Sequence, residues 1–151
     1  MKINDAIRNS WNAWSDDYFA MEYDQPETLN LLKADPRRAF PPTVWQNICM
    51  LFPDLHGKRV CVPSSGDNIA AFAFFLLGAD VTSCDFAERQ LENARQIADE
   101  QGWQLKFCVC DSTEMNGISD GSFDLVYTSN GVHTWIDDLP AMYRQFYRIL
   151  K

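Results

Sequence analysis

Asp85 follows Gly66 by 19 residues, and each stands where a short apolar run gives way to polar residues. In nucleoside-binding sheets a carboxylate at this distance from the glycine turn, where the second strand ends, accepts hydrogen bonds from ribose hydroxyls. Asp85 equally fits an N-cap for a helix starting near Ala87, because its side chain can take an orphan backbone N–H. Phe86 beside it offers a face for a base or ordinary core packing. Three more polar exits join it: Pro63-Ser64-Ser65-Gly66-Asp67-Asn68, Asp111-Ser112 and Ser129-Asn130-Gly131. One such exit is a commonplace turn, whereas four together outline a ligand pocket. His133, just past the last exit, is a candidate general base, since imidazole titrates near neutral pH, or else a structural loop histidine. Ser65, His133 and Asp85 would be the members of a hydrolase triad, but the G-x-S-x-G elbow is missing.

The loop from Pro63 to Asn68 separates two ligand classes. A dinucleotide brings a pyrophosphate to the helix N-terminus and favours closely approaching glycines there. This loop has one glycine, no Lys or Arg, and an acidic Asp67. A like-charge contact at about 4 Å costs on the order of 1 to 4 kcal/mol, depending on exposure, so a nicotinamide-dinucleotide oxidoreductase is disfavoured. A ligand with a sulfonium and an ammonium, S-adenosylmethionine, meets no such repulsion.

These residues need elements to position them. Val60 to Val62, Asp80 to Cys84, Leu105 to Cys110 and Phe123 to Ser129 read as strands, being short, rich in Val, Phe, Tyr and Cys, and bounded by turn residues. Helices are expected from Ile69 to Leu77, stopping at Gly78, from Ala87 to Gln101, stopping at Gly102, and from Leu139 to Leu150. Strands alternating with helices imply parallel pairing, because parallel neighbours need long crossovers. The fold class is therefore α/β, a doubly wound, mostly parallel sheet over residues 58–151. Residues 1–57 have a different texture. Ile3, Ile7, Trp11, Trp14 and Tyr18 recur at helical spacing and either dock on the core or form a lid over a ligand site. Beyond that helix, Pro26, Pro36, Pro41 and Pro42 divide the chain into short pieces, with a further helix expected from Thr43 to Phe52.

A net charge of −8 disfavours nucleic acid and anionic lipid as partners. The 46% hydrophobic content is that of a globular chain, yet no apolar run reaches the roughly 20 residues that span a bilayer. Without a signal pattern at the N-terminus, the cytoplasm is expected. Cys49, Cys61, Cys84, Cys108 and Cys110 contain no C-x-x-C pair. They read as small hydrophobes rather than metal ligands, with Cys108 and Cys110 expected on opposite faces of their strand.

The run Val60-Cys61-Val62-Pro63-Ser64-Ser65-Gly66-Asp67-Asn68, followed by Leu77-Gly78-Ala79-Asp80-Val81-Thr82-Ser83-Cys84-Asp85, resembles the first two motifs of class I S-adenosylmethionine-dependent methyltransferases. Cys110-Asp111-Ser112 resembles the third. Phe123-Asp124-Leu125-Val126-Tyr127-Thr128-Ser129-Asn130 resembles the fourth, with the family's following helix ending at Arg148-Ile149-Leu150-Lys151. The resemblance implies a Rossmann-like sheet of order 3-2-1-4, with S-adenosylmethionine or S-adenosylhomocysteine as cofactor and an unidentified methyl acceptor. It implies that Asp85 holds the ribose, Asp111 reaches the adenine amino group, Ser64 to Gly66 face the methionine part, and Ser129 and Asn130 lie near the methyl. The chain departs from the family where it has Val62 in place of an acid and Ser64 and Asn68 in place of glycines; Asn68 tolerates a left-handed turn, and Asp67 is expected to take over the ammonium contact.

Family members continue beyond the last lysine with three more strands, so the chain is expected to be the N-terminal portion of such an enzyme. Its fourth strand would then be an open edge that invites a homodimer. The altered first motif leaves a rival reading, a non-catalytic binding or scaffold domain of the same fold.

Overall fold

The computed structural model describes residues 3–129 and 131–151. Four strands form a parallel sheet of order β3-β2-β1-β4. They are β1 (Arg59–Pro63), β2 (Asp80–Asp85), β3 (Lys106–Val109) and β4 (Leu125–Val126). The expected class and strand order are observed. β1 registers Val60 on Val81 and Val62 on Ser83; β2 registers Cys84 on Cys108.

β4 is shorter than the Phe123 to Ser129 run expected. The backbone leaves the ladder on both sides for local reasons. Phe123 pairs instead with Leu150 at the end of the last helix, and the Thr128 hydroxyl donates to the Pro63 carbonyl at 3.1 Å. Asp124 turns its carboxylate onto the Arg59 amide at 2.8 Å, closing the strand's start.

Among the helices, α4 (Ile69–Leu76) carries Ala70, Ala71, Phe72, Ala73 and Phe74 wholly into the core. It ends as expected at Gly78, whose φ of +91° permits the Ala79 amide to reach back to the Phe74 carbonyl. A side chain at Gly78 would meet the His56 ring at 2.8 Å, so the position needs glycine twice over. α5 (Glu88–Gln101) likewise stops at a left-handed Gly102. α7 (Leu139–Ile149) is opened by Asp138, which accepts the Ala141 amide, and buries Met142, Phe146 and Ile149 under the opposite face of the sheet. The two faces thus carry two cores. One gathers Val60, Val62 and Val81 with α4 and the N-terminal segment; the other gathers Cys61, Cys84 and Met115 with α7.

The N-terminal segment is more helical than its prolines suggested. α1 (Ile3–Tyr23) is followed by α2 (Pro26–Ala34), a 3-10 turn (Pro36–Ala39) and α3 (Pro42–Leu51). Pro26, Pro36 and Pro42 each sit in the first turn of an element, where a missing N–H costs nothing. Phe19, Leu32, Phe40 and Ile48 join the same core as β1 and α4. The aromatic stripe of α1 is not its most buried face: Trp14 is 50% exposed, while Ser15 and Phe19 are buried. α1 is instead fastened to α5 by polar side chains. Ser15 donates to Gln90, the Asn12 side-chain oxygen accepts the Arg89 amide at 2.9 Å, and Arg89 grips Asp16 through two nitrogens.

The turn from β1 into α4 is held from inside. Asn68 is left-handed, with φ +64°, and fully buried; its side-chain amide donates to the Gly66 carbonyl at 2.9 Å and its oxygen accepts from the Ser83 hydroxyl. Asn68→Ala would strain the left-handed backbone and leave the Ser83 hydroxyl without its acceptor. A loss of roughly 2 to 4 kcal/mol is expected. Urea unfolding checks it, with Asn68→Gly expected to lose less because the backbone is then relaxed.

Candidate functional site

A cavity of about 640 Å³ opens at the carboxyl ends of the strands, where ligands bind in sheets of this type. Its floor is the four strand exits: Ser64 to Asp67 after β1, Asp85 and Phe86 after β2, Asp111 to Thr113 after β3, and Tyr127 to Ser129 after β4. The structure therefore brings together most of the residues expected. Two do not take part. Pro63 is buried beneath the cavity, and Asn68 points into the fold to close the turn described above. Asn130 lies outside the described residues.

Asp85 is the centre of the floor. It is buried, and its oxygens accept the Gly66 amide at 3.2 Å and the Ala87 amide at 2.9 Å. It therefore does not cap α5, whose Arg89 amide is served by Asn12 instead. Burial pushes its carboxyl up to about 6, against the backbone amides that hold it down, and the Glu88 charge adds to the rise. Around it, Gly66 is left-handed with φ +54°, and nothing stands within 4 Å of where a side chain would be. A ligand can approach the backbone there. The Ser65 hydroxyl is buried on the same wall with no hydrogen-bond partner among the described residues, and a bound polar group would satisfy it.

Ser64 also takes a left-handed backbone, φ +50°, and its hydroxyl meets that of Ser112 at 2.8 Å, joining the first and third exits. Asp111 accepts both the Thr113 amide and its hydroxyl on one oxygen, Oδ1. Asp67 accepts the Ile69 amide at 3.0 Å, and its carbonyl takes the Tyr23 hydroxyl at 2.6 Å. Burial raises the Asp67 carboxyl as well.

The roof was only partly legible. Trp11 and Tyr18 of α1 line the cavity. Trp135 meets Trp11 edge to face at 5.4 Å, but nothing in its spacing announced it. It belongs to α6 (Val132–Trp135), too short to leave a periodic pattern. His133 is on the same turn, lining the cavity, with its Nε2 at 2.6 Å from the Tyr143 hydroxyl. Tyr143 is an unforeseen partner. The hydrolase arrangement is not assembled: Asp85 is bonded to amides, His133 to Tyr143, and Ser65 to neither.

One expectation about the cysteines is corrected. Residues two apart in an extended chain share a face, and Cys108 and Cys110 do so. Their Sγ atoms and that of Cys84 all lie within 4.8 Å of one another, a set that can hold a metal ion.

A parallel sheet of order 3-2-1-4 with a buried carboxylate at the second exit and an acidic, lysine-free loop at the first defines a Rossmann-like nucleoside-binding fold. Comparison with known proteins agrees. The family described as "Methyltransferase domain" matches residues 64–151, more than half the chain, and the protein belongs to that family. It is 27% identical over 100 residues to the uncharacterized methyltransferase YbaJ of Bacillus subtilis, covering 66% of this chain and 39% of that protein. It is 32% identical over 91 residues to a ubiquinone biosynthesis O-methyltransferase of Bordetella avium, covering 60% and 38%. The chain thus spans less than half the length of these curated relatives. Its fold matches magnesium protoporphyrin IX methyltransferase of Synechocystis, solved with bound S-adenosylmethionine, at TM-score 0.73 and 21% identity, over 100% of this chain and 73% of that one. No helix among the described residues is long and apolar enough to cross a membrane.

The raised Asp85 carboxyl makes a prediction for the unliganded chain. A group held above its unfolded value of 3.8 binds its proton more tightly when folded. Its contribution is fully present below pH 4 and is lost as pH rises through about 6, amounting to at most about 3 kcal/mol. Asp85→Asn should lack this component. Urea unfolding of both proteins at pH 4.5 and 7.5 measures it as a difference between their pH slopes.

Proposed function

We propose that the protein transfers a methyl group from S-adenosylmethionine to a small neutral or cationic acceptor. The observation that carries this is the buried Asp85 carboxylate facing a cavity whose described walls hold no Lys or Arg. Such a site accepts ribose hydroxyls and tolerates a sulfonium and an ammonium, but it repels pyrophosphate. When bound, S-adenosylmethionine supplies an electrophilic methyl on a good leaving group. The protein's part is then to align donor and acceptor and to exclude water.

Position in the cavity supports the following roles. Asp85 holds the ribose, Phe86 flanks the base, and Asp111 and Ser112 meet the adenine side. Ser64, Ser65 and Gly66 face the methionine part, with the Ser65 hydroxyl gaining the partner it lacks. Asp67 takes the ammonium. Ser129 lies by the methyl, and His133, backed by Tyr143, receives a proton where the acceptor has one to lose. Trp11, Tyr18 and Trp135 make residues 1–57 and α6 a hydrophobic cap over the reacting centre. The same left-handed backbone at Ser64 and Asn68 that glycines would give argues for a working loop rather than a non-catalytic relic. A cytoplasmic setting, with that cofactor at hand, fits this activity.

Calorimetric titration with S-adenosylhomocysteine tests the reading. The chain should bind it, and Asp85→Ala, losing two charge-assisted hydrogen bonds, should weaken binding by about a hundredfold or more. A wild-type chain that stays unliganded at millimolar S-adenosylhomocysteine would sink the proposal. Asp67→Asn, which keeps the Ile69 hydrogen bond but removes the charge, should weaken binding by about tenfold; equal affinity would take the ammonium role away from Asp67.

A further inference from the structure

The face of the sheet turned away from α4 carries a group of sulfur atoms that the methyltransferase reading does not use. Parallel register brings Cys84 beside Cys108 on adjacent strands, and Cys110, two residues further on, returns to the same face. The Sγ atoms of Cys84, Cys108 and Cys110 are within 4.8 Å of one another. Cys61 of β1 extends the group, its Sγ at 3.8 Å from that of Cys84, and the Met115 thioether closes it at 4.0 Å from Cys110. Five sulfurs from three strands and one loop are thus contiguous, and the metal-capable set within them contains no oxygen or nitrogen ligand.

We propose that Cys84, Cys108 and Cys110 form a site for a single soft, thiophilic cation, with Cu(I) as the ion that fits best. A metal–sulfur bond of about 2.3 Å sets three sulfurs about 4 Å apart around one ion, so the side chains need close by less than an ångström. All-sulfur donors select against hard cations and for Cu(I), and the neighbouring thioether suits the same ion. Contact with Cys84 and burial raise the Cys110 thiol, and burial raises that of Cys108. Each sulfur that binds the ion releases its proton to solvent, and no oxidation state changes. Cys108 is half-buried beside the exposed Val109 of the edge strand, which gives the ion a way in. Arg148 donates to the Met115 and Ile118 carbonyls on this side and pairs with Asp120 at 2.6 Å, which fixes the loop that carries Met115.

The inference does not rest on the methyltransferase reading and is tested apart from it. The full chain, kept reduced with a phosphine and free of oxygen, is titrated with Cu(I) buffered by a coloured chelator. A single copper ion per chain should be taken from the chelator, with a thiolate-to-copper ultraviolet band and a sulfur-only X-ray absorption shell. Cys108→Ser, at the most accessible ligand, should lose that copper while keeping a cooperative unfolding transition, and Cys110→Ser should lose it too. Cys49→Ser, remote from the group on α3, should bind as the wild type does. Failure of the wild-type chain to hold copper against the chelator, or equal retention by Cys108→Ser, overturns the site.

Discussion

The Asp85 carboxylate joins the two loops on which the cavity depends. By accepting the amides of Gly66 and Ala87 it ties the exit of β1 to the exit of β2 across the sheet. The Gly66 carbonyl, in the same peptide neighbourhood, is taken by the buried Asn68 side-chain amide, and Asn68 in turn is held by Ser83 from β2. The loop that faces the ligand is therefore fixed from below by β2 side chains at both ends. This is why a chain with serine and asparagine at glycine positions still makes the turn. Ser64 and Asn68 adopt left-handed backbone at a steric cost, and hydrogen bonds to Ser112 and Ser83 offset it.

That arrangement leaves a carboxylate nearly out of water, stabilised by backbone amides and by no basic side chain. Burial of an anion under those terms opposes its ionisation, which is the cause of the raised Asp85 carboxyl. Hydroxyl donors from a ligand would relieve the same penalty, so part of the folding free energy withheld in the unliganded protein returns on binding. Floor and roof are also linked mechanically. α5 begins just beyond Asp85, and its first turn is served by Asn12 of α1 rather than by a cap of its own. Asn12 further donates to Glu88, and Asp16 and Ser15 bind Arg89 and Gln90. One turn of α1 thus sits on the N-terminus of α5, and Trp11 and Tyr18, flanking that turn, are set over the cavity.

The fold was largely legible because it is written in short apolar runs between turn residues. β1 and β2 extend their expected runs by a residue at one or both ends, and Gly78 and Gly102 stop α4 and α5 where the glycines stand. What escaped was information of another kind. The prolines of the N-terminal segment start helices rather than end them, a distinction of position within the first turn that composition does not carry. β4 is trimmed by Asp124 and Thr128 side chains bonding to a neighbouring backbone, a tertiary choice. In α1 the aromatic spacing pointed to one face, yet the helix is anchored through Asn12, Ser15 and Asp16, whose polarity reads as solvent exposure. Of the site, the four exits were legible from chain order, and Asp85 from its distance to Gly66. Trp135 and Tyr143 were not, since their meeting with Trp11 and His133 exists only in three dimensions.

Strand β2 carries both proposed sites on alternate residues. Val81, Ser83 and Asp85 point to the α4 side, where Ser83 holds Asn68 and Asp85 holds Gly66; Cys84, between them, points to the α7 side and meets Cys61 and Cys108. A period of two makes this separation complete, because each residue is committed to one face by its parity. A slip of β2 by one residue would put Cys84 under the loop and Asp85 among thiols and the apolar side chains of α7, an outcome disfavoured on both faces at once. The register of β2 is therefore fixed from two directions. The same constraint explains how a four-stranded sheet can present a rigid, polar cavity floor at its carboxyl end while keeping a sulfur-lined face one pleat away.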